Sequence, residues 1–155
     1  MGQKIAVLLL ILLIACCCCI PTFTKFNNDW KLHNYETQFL QISHPSSTSL
    51  IALETGVFGV NANDCGYFVG EIRQYSGTRD EIEQFYAAQA ATDEHFFKYT
   101  NLIFIEEGEF STSGLLPYDL ESVSDWKIAT SDLEGDLYLY YFLYDEYTPF
   151  DWRCK

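Results

Sequence analysis

The chain has 155 residues, 22 acids against 9 Lys/Arg, a net charge of −13 and an aromatic content of 17%. No Lys/Arg cluster offsets that charge, so binding to a nucleic-acid backbone is excluded as a default. Aromatic richness with moderate total charge also excludes a disordered chain, and the length suits one domain behind a short leader.

The first sixteen residues set the expected location. Met1-Gly2-Gln3-Lys4 carries one cation, and an unbroken apolar run follows from Ile5. Counted to Ile20 the run is 16 residues, short of the ~20 that a membrane span needs and near the length of a signal-peptide core. It leads into Leu13-Ile14-Ala15-Cys16. Ala15 suits position −1 of an ordinary signal-peptidase site, but Leu13 is large for −3. This order resembles the lipobox of bacterial lipoproteins, where a branched apolar residue precedes a small one and then cysteine. The resemblance implies a signal peptide over 1–15 and a lipidated Cys16, with 16–30 as a tether and 31–155 as a single acidic domain. It also implies diacylglyceryl and fatty-acyl (palmitate-type) chains on Cys16, a bacterial cell-envelope location and a domain facing away from the cytoplasm. Cys17 stands where an inner-membrane retention Asp is found in that family, so outward sorting is the expectation. An uncleaved segment palmitoylated at Cys16–Cys19 and ordinary secretion stay open as alternatives.

Beyond the leader, Pro21 and Asn27-Asn28-Asp29 read as breakers within the tether. An extra early strand at 39–42 is left open, and His44-Pro45-Ser46-Ser47 reads as a turn. Leu50–Gly59 reads as a strand, and 59–66, with its Asn, Asp and Gly, as a hairpin loop. Residues 66–75 alternate: Tyr67, Val69, Glu71, Arg73 and Tyr75 on one face, Phe68, Gly70, Ile72 and Gln74 on the other. Thr78 and Glu81 form a capping box that opens a helix over 79–91, with Ile82, Phe85, Tyr86 and Ala90 as its apolar stripe. A strand over 101–107, a loop over 108–124 and a hairpin of 126–130 with 137–147 complete the reading. The expected fold is α+β: about five antiparallel strands with one helix on a face, in the order β-β-α-β-β-β.

Chemistry is sparse. There is no nucleophile elbow, no phosphate loop and no H-E-x-x-H pair, so no catalytic residue, metal or cofactor is expected. The acidic groups Glu106/Glu107/Glu109 and Asp132/Glu134/Asp136 lack a full calcium-loop pattern. Cys65 and Cys154 are the pair left for a disulfide in an oxidising compartment. Tyr138, Tyr140, Phe142 and Tyr144 share one strand face; exposed, they would form a platform for a sugar or small apolar ligand, and covered, a core. The functional expectation is a lipid-anchored, non-catalytic interaction or structural module, with the membrane and an envelope protein as partners. The alternative is a ligand-binding module that uses the tyrosine row or the space under 108–124.

Overall fold

The computed structural model describes residues 2–61, 64–92, 94–105, 135–147 and 151–154, with the backbone alone for 2–18, 60, 61, 94, 95, 147 and 152. In chain order these form helix α1 (Gly2–Phe39), strands β1 (Thr48–Asn61) and β2 (Asp64–Tyr75), helices α2 (Arg79–Ala90) and α3 (Glu94–Phe97), strands β3 (Thr100–Ile105) and β4 (Asp136–Tyr147), and a 3₁₀ turn at Trp152–Cys154. The class is α+β, with one antiparallel sheet in the order β1-β2-β4-β3. Four strands are described; the strand expected at 126–130 and the loop at 108–124 lie outside the described residues.

The strands follow their period-two patterns. Gly70 faces Tyr141 and Val69 faces Phe142 across β2 and β4, which form the centre of the sheet. The β1–β2 hairpin is tighter than its composition suggests, since pairing continues to Asn61 and Asp64. Two irregularities break the register of edge strand β1, at Leu50/Ala52 and Gly59/Asn61. Gly135, at φ 106°, supplies the left-handed conformation directly ahead of β4. Helix α2 begins as its sequence indicates. Thr78 Oγ1 accepts from the Glu81 amide while Glu81 returns a carboxylate to the Thr78 amide, and Ile82 and Tyr86 are buried.

The largest departure from expectation is α1. The stretch 16–30, read as a tether, is helical, and Phe39–Ile42 ends a helix and turns instead of forming a strand. The cause is visible in the spacing of Asn28, Leu32, Tyr35, Phe39 and Ile42. Steps of four and three residues draw one stripe down a helix, and that stripe lies on the sheet. Pro21 lies inside the helix and leaves one backbone bond unmade. From Asn28, beside Tyr67, to Phe39, beside Tyr140, α1 follows the direction of β2.

The two faces of the sheet carry separate cores. Val69, Tyr75, Tyr138, Tyr140 and Phe142 meet α1, α2 and Phe96 on the first face. On the second, Phe58, Phe68, Ile72, Ile105, Leu137, Leu139 and Tyr141 form a cluster that, among the described residues, is built wholly of strand side chains. There the Phe58 ring lies directly over Gly66, its cross-strand partner, and a Cβ on Gly66 would stand 2.2 Å from Phe58 Cζ. We expect Gly66→Ala to cost about 1–3 kcal/mol in urea unfolding, with part regained in Gly66→Ala/Phe58→Leu. Equal loss in the single and double variants would remove this ring from the account.

Candidate functional site

The tyrosine row of β4 is core. Tyr138, Tyr140 and Phe142 are at most 2% exposed, and only Tyr144 at the end of the row is partly open. Phe39 of α1 stacks on Tyr140 at 5.6 Å, Tyr86 of α2 stacks on its ring at 4.0 Å, and Phe96 stacks on Phe142 at 4.9 Å. The expected platform for a ligand is therefore covered, because rings of this size gain more from helix packing than from water.

Burial forces the hydroxyls and charges beneath the helices to find partners. Glu71, next to Tyr140 in the register, takes a 2.6 Å bond from Arg73 Nη1, and Arg73 Nε reaches Thr48 Oγ1 at 3.2 Å. His44, brought in by the turn after α1, places Nε2 3.4 Å from Glu71 Oε2 and Nδ1 2.8 Å from the Tyr86 hydroxyl. The Tyr86 hydroxyl in turn meets that of Tyr138 at 2.9 Å. Burial first, then the Arg73 charge, lowers the His44 pKa from 6.5 to about 4. Glu71 favours a charged imidazole, but its carboxylate already answers Arg73, so the ring is neutral at pH 7. In the tautomer that satisfies both contacts, Nε2–H points to Glu71 and Nδ1 accepts from Tyr86. Burial and the Tyr138 hydrogen bond push the Tyr86 phenol far up, so it is protonated at pH 7. Tyr140 is raised to about 12 by burial, and among the described residues its hydroxyl has no partner in bonding geometry, although the nearby Thr100 hydroxyl favours its ionised form.

A second polar cluster joins α1 to the end of the chain. Asn28 is fully buried; its Nδ2 donates to Asp151 Oδ2 at 2.8 Å and to Cys65 Sγ at 3.3 Å, and its Oδ1 accepts from Tyr67 at 2.9 Å. Cys65 and Cys154 are joined in a disulfide, with Cα atoms 5.0 Å apart. A bridge spanning 89 residues constrains the unfolded chain by about 4–5 kcal/mol on the chain-entropy estimate. Burial works against the Asp151 carboxylate, but hydrogen bonds from Arg153 and Asn28 outweigh it and hold the pKa below its ordinary value. Among the described residues Cys65, Asp151 and Cys154 alone lie close enough together to hold a metal, and the disulfide takes both sulfurs.

The remaining candidates are dispersed. Cys19 is exposed and unbonded. Cys16–Cys18 belong to α1, whose backbone alone is described there. The first acidic group lies outside the described residues, as do Asp132 and Glu134 of the second. A cleft of about 230 Å³ opens at the end of the tyrosine row, lined by Tyr35, Gln38, Phe96, Tyr99, Phe142 and Tyr144. Sequence reasoning missed Asn28, His44 and Tyr86 as partners. Only Asn28 left a signal, by falling on the stripe of Leu32 and Tyr35. Comparison with protein-family models, with curated proteins and with solved structures finds no match to this chain.

The neutral, buried His44 sets a pH dependence. Its folded pKa lies below the unfolded value, so the unfolded chain binds the proton first. Stability is whole above pH 6.5 and is lost as pH falls toward about 4. We expect a loss of up to ~3 kcal/mol over that window in urea titrations, and a flatter profile for His44→Gln. Asp151 acts in a lower window, below its ordinary value of 3.8. Identical pH profiles for the two proteins would show that His44 does not carry the slope.

Proposed function

We propose that this chain is a lipid-anchored cell-envelope protein, held at Cys16, whose acidic α+β domain is a non-catalytic interaction or structural module outside the cytoplasm. The observation that carries the reading is Leu13-Ile14-Ala15-Cys16 behind the apolar run, on the same helix whose far end is built into the fold. Cys16 precedes Asn28 by twelve residues, about 18 Å of helix, so the domain is held close to the bilayer instead of swinging on a long tether. The Cys65–Cys154 bridge suits an oxidising compartment. The buried Glu71–His44–Tyr86 group supports a structural role, since its phenol is strongly protonated and its carboxylate is committed to Arg73. The partner in this reading is a second envelope protein that tolerates a strongly acidic surface.

One observation favours a second reading. The cleft at Tyr35, Phe142 and Tyr144 is aromatic and about ring-sized, which suits a small apolar or sugar ligand on the exposed end of the tyrosine row.

Intact-mass analysis of protein extracted from membranes tests the anchor. The wild type is expected to lack residues 1–15 and to carry diacylglyceryl and acyl mass, while Cys16→Ser keeps its leader and gains none. A wild-type chain that retains Met1 and bears no lipid would contradict the proposal.

A further inference from the structure

Helix α1 carries two stripes on opposite sides. Asn28, Leu32, Tyr35 and Phe39 face the sheet. At 100° per residue, Phe23, Phe26 and Trp30 fall about 180° away from them. These three are 71%, 69% and 57% exposed, and Ile20 at the edge of the same side is 41% exposed. Together they make the largest run of exposed apolar side chains on one described element. Lone exposed apolar residues need no explanation, but an ordered stripe of three aromatics does.

We propose that the Phe23–Phe26–Trp30 face of α1 lies in the headgroup–acyl boundary of the membrane, with the sheet on the far side of the helix. The inference rests on the anchor reading above and adds an orientation to it. Three observations select a bilayer over a protein partner. First, the stripe begins seven residues after Cys16 on the same helix, so the acyl chains that hold Cys16 bring it to the lipid surface. Aromatic side chains with an apolar body are favoured at that depth. Secondly, three acids at this end of a chain of net charge −13 share two cations. Arg153 Nη1 meets Asp29 Oδ1 at 2.6 Å, Arg153 Nη2 meets Asp151 Oδ2 at 2.7 Å, and Lys31 Nζ meets Glu146 Oε2 at 2.6 Å. An acidic domain approaching anionic lipid needs such pairing at its near end. Thirdly, the aromatics occupy one side of the helix only. A helix standing upright in a bilayer has lipid all round it; a one-sided stripe fits a helix inclined with that side down. Pro21, between Cys16 and the stripe, is where such an inclination is most easily taken up.

The test uses the full lipidated chain, extracted from membranes and reconstituted in phosphatidylcholine vesicles whose acyl chains are brominated near the carbonyl end. Of the three tryptophans, Trp126→Phe/Trp152→Phe leaves Trp30 as the sole emitter. Expected are a blue-shifted Trp30 emission and at least about twofold quenching, falling when the bromines are moved to the chain middle, as for a side chain at the interface. In Phe23→Ser/Phe26→Ser the protein should still float with the vesicles while Trp30 quenching drops. Wild type minus Trp30→Phe gives the same quenching difference with the other tryptophans in place, should the double tryptophan variant misfold. Protein that floats with vesicles and shows no Trp30 quenching overturns this inference and leaves the anchor standing. The same holds if a second copy cross-links through position 30. Protein that does not float overturns both.

Discussion

Tyr138, Tyr140 and Phe142 carry too much ring surface to stand in water, and their burial is the constraint from which the rest of the structure follows. They lie on a central strand whose opposite face, Leu137, Leu139 and Tyr141, is buried as well. The sheet therefore needs cover on the tyrosine face, and α2 supplies only part of it through Ile82 and Tyr86. The second half of α1 and Phe96 of α3 supply the remainder, with Tyr35 packed among Tyr67, Phe142 and Tyr144, Phe39 stacked on Tyr140 and Phe96 on Phe142. Each such ring pair contributes about 0.5–1.5 kcal/mol beyond the area it buries. That packing turns a segment next to the proposed anchor into a structural element of the domain.

Polar groups trapped by the same packing fix its geometry. A buried phenol is less costly with a partner, so Tyr67 is answered by Asn28, and Tyr138 by Tyr86 and His44 in sequence, while among the described residues the Tyr140 hydroxyl is left unanswered. Asn28 makes the tightest demand. Its amide serves Tyr67, Asp151 and the sulfur of Cys65 at once, so a shift of α1 by one residue would break three buried contacts together. The disulfide and Arg153 hold the chain end where Asp151 is needed. Chain termini far apart in sequence are thus closed on each other at the end of the sheet nearest the proposed membrane.

Much of the sheet is legible in the residues alone. Strand β2 reads true because its alternation is unbroken over ten positions, and α2 because its capping box and stripe agree. The central place of β4 follows from bulk on both faces. Helix α1 was harder. Pro21 and Asn27-Asn28-Asp29 have the composition of a loop, and the apolar run draws attention away from the 28–32–35–39 spacing behind it. Asn28 looks like a breaker until its partners are known, and those sit 37 to 123 positions away. The Glu71–His44–Tyr86 group is out of reach for the same reason. A turn, a strand and a helix each contribute one member, and no local pattern carries the distance between them. The tyrosine row was readable as bulky, but whether a helix covers it depends on α1.

The most direct measurement of the central claim is residue-resolved hydrogen exchange on the disulfide-intact chain. If α1 is part of the fold, the amides of Leu32, Tyr35 and Phe39 exchange only through the same opening that exposes Val69 and Tyr140, with matching free energies and the same dependence on denaturant. Amides at 32–39 that exchange freely while β2 and β4 stay protected would contradict it, and would return the helix to the role of a tether.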